Sequence, residues 1–129
     1  MEKLKIAGVV VLYQPTDKDL TNINSYLDEI DILYVIDNSK ENNNKRLPNN
    51  KKIYYIFNNE NLGIPGPLNK AAELAREEGY KWLLTMDQDT VFKKGIIEEM
   101  KKRILEMDTS KIGIVIPWHK TKLKVKKPK

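Results

Sequence analysis

The sequence predicts an α/β fold in which helices cover both faces of a mostly parallel sheet. Two observations carry the prediction. Short segments rich in valine, isoleucine and leucine alternate with amphipathic segments of helical period, and turn-forming residues follow most of the apolar segments. Alternating strands and helices need crossover connections, and these place helices on both sides of the sheet. The length of 129 residues fits one domain.

Five segments are predicted as strands. The first is a continuous apolar run, as expected of a strand that is buried on both faces of a parallel sheet. The second and fourth end directly at polar turn residues. In chain order, the predicted strands are Ile6–Leu12, Ile32–Ile36, Ile53–Phe57, Tyr80–Met86 and Ile112–Ile116.

Three segments are predicted as helices. Thr16 and Asp19 have the spacing of a capping pair at the start of the first helix, whose apolar stripe continues to Ile30. Gly79 is a suitable residue to end the second helix. The helices are predicted from about Asp17, over Pro67–Glu78 and over Gly95–Met107.

The net charge of +5 is concentrated at the C-terminal end of the sequence. Lys120–Lys129 holds six of the 23 basic residues and no acidic residue, which leaves 17 basic against 18 acidic residues elsewhere. A nearly neutral body does not favour nucleic acid as a partner. We predict one domain over residues 1–118 and a basic, disordered tail over residues 119–129. Peripheral contact of the tail with anionic lipid stays open as an alternative.

The composition also indicates a cellular compartment. The chain has no cysteine, which fits a reducing compartment. Its longest apolar run, Ile6–Tyr13, is too short to span a bilayer, and no secretory cleavage site follows it. We therefore expect a cytoplasmic location, at the inner face of the membrane if the tail contacts lipid.

Polar residues follow four of the predicted strands. Tyr13 follows the first strand, Asp37 the second, Asn61–Gly66 the third and Asp87–Asp89 the fourth. Ligands of open parallel sheets bind outside the carboxyl ends of the strands, so this convergence predicts a ligand site. Asp37 is expected at this edge and not in the core, and the polar loop Lys40–Lys52 is expected to be exposed and of little functional weight.

Asp87 and Asp89 are the candidate metal ligands. If the chain is still extended there, both carboxylates point to the same side. Paired carboxylates suit Mg²⁺ or Mn²⁺, which would neutralise the charge on a leaving nucleoside diphosphate. Alternatively, Asp-Gln-Asp-Thr caps the following helix. Its position directly after an apolar strand favours the metal site.

Further candidate ligand contacts lie on the other loops. The two glycines of Asn61–Gly66 permit close backbone approach, and the loop enters a helix start that attracts anions, although a tight turn explains the same residues. Asn69 could reach a ligand or bond locally. Asp37 could accept a hydrogen bond from a uracil or thymine imide with Tyr13 against the ring, or simply form a turn. His119, the single histidine, is more simply explained as solvated than as a general base.

These residues resemble the inverting family 2 glycosyltransferases, most closely their rhamnosyltransferase-like branch. The resemblance extends from about Lys5 to Pro117, and its most specific element is the Asp-Gln-Asp followed by a hydroxyl residue. It implies a short version of the Rossmann-like, three-layer α/β/α GT-A fold of nucleotide-diphospho-sugar transferases. The matching segments are Val9–Pro15, Val35–Ser39, Asn59–Ile64, Pro67–Ala71 and Leu83–Thr90.

The resemblance also implies an activity and a set of contacts. The activity is that of a hexosyltransferase of polysaccharide biosynthesis, which moves a sugar such as rhamnose from a dTDP- or UDP-sugar to a glycan or lipid-linked acceptor with help from Mg²⁺ or Mn²⁺. Tyr13 and Asp37 would hold the base, Asp87 the ribose and diphosphate region, and Asp89 the metal. The implied nucleotide-sugar-binding set is Tyr13, Asp37, Asn38, Asn61, Gly63, Asn69, Asp87 and Asp89.

Two departures from the resemblance leave an alternative open. Relatives have small residues where Pro65 and Pro67 stand, and a longer chain after the fifth strand supplies their acceptor site and general base. The alternative is therefore a donor-binding module that lacks the acceptor half and is inactive alone, or works with a partner chain or a second copy. A nucleotidyltransferase is a weaker alternative, because its triphosphate loop is absent near the first strand.

Overall fold

The computed structural model describes residues 4–106 and, for the backbone alone, residues 113–118 and 122–126. The strands form one sheet in the order β3-β2-β1-β4-β5-β6, in which the first five strands are parallel and β6 is antiparallel to β5. The predicted α/β class and mostly parallel sheet are thereby confirmed. The strands are β1 (Ala7–Leu12), β2 (Ile32–Asp37), β3 (Ile53–Phe57), β4 (Trp82–Met86), β5 (Gly113–Trp118) and β6 (Lys122–Lys126).

Three α-helices, α1 (Asp17–Asn22), α2 (Pro65–Glu77) and α3 (Ile96–Leu105), pack on the two faces of this sheet. On one face, residues of α1, of the segment that follows it and of α3 form a core with Val10 and Leu12 of β1. On the other face, Ala71 and Ala75 of α2 pack against Val9 of β1. Side chains of β1 alternate between the two cores, as the period of a strand requires. The arrangement has the predicted three layers.

The first helix is shorter than predicted. Its capping box is present, because Thr16 Oγ1 accepts from the Asp19 N–H and the Asp19 carboxylate accepts from the Thr16 N–H. The helix ends at Asn22, however, and two short 3₁₀ turns follow before β2. Ser25 Oγ donates to the Asn22 carbonyl at 2.7 Å, a local side-chain bond that competes with helix continuation. The apolar stripe is nevertheless buried as far as Ile30.

The second helix begins two residues earlier than predicted, at Pro65, so that Gly66 lies within it. Gly79 follows its C-terminal end with a φ of +88°, which confirms the predicted helix termination at a glycine. The third helix begins at Ile96 after Gly95. Its predicted end at Met107 and the predicted strand start at Ile112 lie outside the described residues.

The prediction of a disordered tail is wrong for residues 122–126, because this segment forms the strand β6. It pairs with β5 from Trp118 opposite Lys122 to Ile114 opposite Lys126. Alternation of lysine with leucine and valine has the period of a strand, and the outer edge of β5 is the available partner. His119 and Lys120 lie outside the described residues. In the described part of the chain, every helix is too short or too polar to span a bilayer.

Candidate functional site

A cleft of about 470 Å³ opens at the carboxyl edge of the sheet. Its wall is built from the ends of β1 and β4, the residue after β2 and the loop that leads from β3 into α2. The loops after four successive strands therefore converge, as predicted. Five of the predicted site residues line the cleft, and these are Tyr13, Asn38, Asn61, Gly63 and Asp87. The other three, Asp37, Asn69 and Asp89, are not among the lining residues.

Asp37 is buried beneath the cleft, and the expectation that it lies at an exposed edge is wrong. The strand β2 continues one residue further than predicted and ends on Asp37 itself, which pairs with Leu12 on one side and Phe57 on the other. Its side chain is 0% exposed. The Asp37 carboxylate is therefore not among the groups that line the cleft.

Three donors occupy the Asp37 carboxylate. Oδ1 accepts from the Ser39 N–H at 3.0 Å, while Oδ2 accepts from Tyr55 Oη at 2.6 Å and from Asn43 Nδ2 at 2.9 Å. Burial alone would raise the pKa of Asp37, but the hydrogen bonds from Ser39, Tyr55 and Asn43 outweigh burial and lower it. The turn-forming interpretation of Asp37 fits this arrangement, because the carboxylate organises the chain that follows it.

The loop Lys40–Lys52 is more structured than expected, because part of it covers Asp37. Asn43 is 5% exposed, and its backbone N–H donates to Tyr55 Oη at 2.9 Å. Arg46 holds the loop from outside, since it donates to Asn43 Oδ1 at 2.7 Å and to the Asp17 carboxylate at 2.7 Å. These contacts join pairs of residues that are separated by 12 and by 29 positions along the chain. The polar composition of the loop did not indicate them.

Asn38 reaches the cleft in place of Asp37. Its Nδ2 donates to the Gly63 carbonyl at 2.9 Å, and its Oδ1 accepts from Asn58 Nδ2 at 2.8 Å. Gly63 has a φ of +75°, and its N–H donates to Asn61 Oδ1 at 3.0 Å. The loop after β3 is thus a tight turn, as the simpler interpretation of its glycines held, and Asn38 fixes this turn as a wall of the cleft.

The segment Asp87–Thr90 is a turn and not a continued strand. The strand β4 ends at Met86, and the Thr90 N–H donates to the Asp87 carbonyl at 3.0 Å. The extended geometry that would aim both carboxylates to one side is therefore absent. Asp87 lines the cleft, whereas Asp89 is exposed outside its lining. The helix-capping alternative is also wrong, because α3 begins only at Ile96 with Gly95 as its N-cap.

The acidic residues of this turn do not form a complete metal site by themselves. Within residues 4–106, where side chains are described, no three acidic or histidine residues group as metal ligands. Asp87 and Asp89 could supply at most two carboxylates, and phosphate oxygens and water would have to complete the coordination. Mg²⁺ is commonly bound in this way.

The start of α2 has fewer anion-binding groups than the sequence suggested. Of the four N–H positions that a helix normally leaves free, two are occupied by Pro65 and Pro67, which have none. The first bond within the helix runs from the Leu68 N–H to the Ile64 carbonyl at 3.1 Å. Only the N–H groups of Ile64 and Gly66 remain for an anion at this helix start.

The sequence interpretation gave Gln88 no contact of its own and missed the apolar part of the wall. Gln88 lines the cleft and also hydrogen bonds with Tyr13 and Asp19. Its position between two acidic residues was the one available signal. The apolar lining comes from strand ends and the helix start, and these residues are Val11, Ile64, Leu68 and Met86.

Comparison with known proteins identifies the family. The family model described as Glycosyl transferase family 2 matches residues 18–128. None of the curated proteins and none of the solved structures compared with the chain matches it. The match begins in α1, after Tyr13, and continues through β6, further than the resemblance that ended near Pro117. Because the match covers most of the chain, this protein belongs to glycosyl transferase family 2.

Proposed function

We propose that the cleft binds a pyrimidine nucleoside diphosphate sugar and that the protein transfers its sugar to a glycan or lipid-linked acceptor. Family membership supports sugar transfer from a nucleotide-sugar donor in general. The observation that carries the proposal is the convergence of the loops after β1, β2, β3 and β4 on one cleft with Asp87 in its wall. Rhamnose is our proposed sugar, because the Asp-Gln-Asp segment resembles that of the rhamnosyltransferase-like branch of the family.

The nucleoside end of the donor is assigned to the side of the cleft formed by Tyr13 and Asn38. Tyr13 is 49% exposed, so its ring offers an open apolar face on which a base can stack. The Asn38 amide carries a second N–H and a second lone pair beyond the bonds to Gly63 and Asn58. Asn38 is only 2% exposed but lines the cleft, so this amide is proposed to pair with the carbonyl and imide groups that uracil and thymine share.

The diphosphate end is assigned to Asp87 and Asp89, which would hold a divalent cation. Such an ion supplies charge neutralisation to the nucleoside diphosphate as it leaves. The start of α2 contributes little to this task, because Pro65 and Pro67 remove two of its N–H groups. The proposal therefore makes donor binding strongly dependent on the cation.

Isothermal titration calorimetry tests the proposal with UDP, dTDP and their sugars, with and without Mn²⁺, and with ADP as a purine control. We expect the pyrimidine nucleotides to bind more tightly with Mn²⁺ and the purine nucleotide to bind more weakly. Absence of pyrimidine nucleotide binding would show that the site assignment is wrong. Metal-dependent hydrolysis of a bound donor supports the enzyme, whereas binding without any turnover favours a donor-binding module.

A further inference from the structure

Gln88 joins the exit of β4 to two segments that are distant in sequence. Its Oε1 accepts from the Tyr13 N–H at 2.7 Å, and its Nε2 donates to Asp19 Oδ2 at 3.1 Å. These bonds cross 75 and 69 residues of chain. The single amide therefore links the end of β1, the start of α1 and the turn that carries Asp87.

The two partners of Gln88 need opposite hydrogen-bonding groups. The backbone of Tyr13 offers a donor, and the carboxylate of Asp19 offers an acceptor. An amide satisfies both at once, whereas a carboxylate would satisfy Tyr13 and repel Asp19. Asp19 is itself held in place, because the same Oδ2 accepts from the Thr16 N–H at 3.0 Å in the capping box of α1.

The segment that Gln88 holds has an unfavourable backbone. Gln14, next to Tyr13, has a φ of +46°, a left-handed conformation that is strained for residues other than glycine. Its N–H donates to Ser39 Oγ at 2.8 Å. The bend after β1 is thus held from two sides, by Ser39 on Gln14 and by Gln88 on Tyr13. Loss of either bond would free a strained bend in the wall of the cleft.

From this geometry we infer that Gln88 is the positioning residue of the donor site. It fixes Tyr13 as the wall of the cleft and ties the Asp87 turn to the helix α1. Its effect on donor binding rests on the proposed function, whereas its effect on the Tyr13 backbone does not. The two effects can therefore be measured separately.

The first measurement is hydrogen exchange of the Tyr13 amide, which needs no ligand. We expect Gln88→Ala to speed exchange of this amide at least tenfold while exchange in the core strand β2 stays as in the wild type. Unchanged exchange at Tyr13 would overturn the link between Gln88 and the β1 exit. This result is independent of whether any nucleotide binds.

The second measurement is UDP and dTDP affinity in Mn²⁺ for four proteins: wild type, Asp19→Asn, Gln88→Glu and the double variant. Gln88→Glu loses the hydrogen bond to Asp19, so we expect its affinity to be threefold to tenfold weaker, which is about the contribution of one hydrogen bond. Asp19→Asn keeps an acceptor for Gln88 and should bind as the wild type does. In the double variant, position 19 no longer carries a charge that repels the carboxylate introduced at position 88, so we expect partial recovery.

The double variant separates positioning from a general loss of structure. A deficit in affinity that the double variant does not reduce would overturn the positioning role. Failure of the wild type to bind nucleotide would instead refute the proposed function, and the exchange measurement would still decide on Gln88.

Discussion

The hydroxyl of Tyr55 donates to the Asp37 carboxylate at 2.6 Å, beneath the cleft and not within it. The same hydroxyl accepts from the Asn43 N–H at 2.9 Å, so one tyrosine joins β3, the end of β2 and the loop between them. Burial and the bond to Asp37 raise the pKa of Tyr55, which keeps this hydroxyl protonated as a donor. The arrangement makes Asp37 part of the support of the site.

We expect Asp37→Asn to lower the free energy of unfolding by about 2 kcal/mol, because an amide cannot accept from three donors as a carboxylate does. Urea denaturation at pH 7 measures this change. Asp28→Asn, the same substitution at an exposed position, is the control and should change stability little. Full stability of Asp37→Asn together with lost nucleotide binding would instead indicate a direct contact between Asp37 and the base.

The lowered pKa of Asp37 also fixes the sign of a pH effect. A carboxyl whose folded-state pKa lies below its ordinary value of 3.8 contributes stability in full above that value. The contribution is lost as the pH falls through the lower folded-state pKa. Below about pH 4, the wild type should therefore lose stability more steeply than Asp37→Asn in acid unfolding followed by circular dichroism. Parallel acid transitions would contradict the lowered pKa.

Tyr55→Phe should destabilise the protein by about 1 to 3 kcal/mol, because it leaves the buried Asn43 N–H and the Asp37 carboxylate each without one partner. It should also raise the pKa of Asp37, which carbon-detected NMR titration can follow. Tyr54→Phe, on the neighbouring and half-exposed residue of the same strand, is the matched control. Equal effects of the two substitutions would show that the hydroxyl of Tyr55 has no special role.

Two glycines provide a matched test of backbone conformation. Apart from its chain neighbours and, for Gly66, the backbone of its own helix, a Cβ added at Gly66 or at Gly79 would meet no atom within 4 Å. Gly79 has a φ of +88°, whereas Gly66 lies within α2. Gly79→Ala should destabilise by about 1 kcal/mol in thermal unfolding. At Gly66 the higher helix propensity of alanine is opposed by the steric restriction before Pro67, so Gly66→Ala should change stability less. A larger loss at Gly66 than at Gly79 would contradict the assigned helix boundaries.

The separate roles of Asp87 and Asp89 can be tested by comparing Asp87→Asn with Asp89→Asn. Asp87 lies in the cleft wall, so its substitution should weaken UDP and dTDP binding at least tenfold in Mn²⁺, on the scale of a lost charged contact. If Asp89 holds the cation as proposed, its substitution should abolish the gain in affinity on adding Mn²⁺. Unchanged metal dependence in Asp89→Asn would remove Asp89 from the metal site.

Much of the fold was predictable because local patterns determine it. The predicted bounds of β3 are the same as those in the structure, because its apolar residues lie between polar turns. The position of the cleft was also predictable, because carboxyl ends of parallel strands share one edge. The burial of Asp37 was not predictable. The residues Asp-Asn-Ser indicate a turn whether or not Tyr55 and Asn43 form hydrogen bonds with the Asp37 carboxylate. The role of Gln88 was hidden for the same reason, since its partners are about 70 residues away.

The two prolines at the start of α2 make the proposed donor site sensitive to the concentration of free divalent cation. Pro65 and Pro67 leave the helix with few groups to neutralise a diphosphate, so the proposed donor site depends on a cation from solution. The apparent affinity for donor should then rise with free Mg²⁺ and fall when the ion is scarce. Magnesium supply, as much as the amount of donor, would set how much of the protein is loaded.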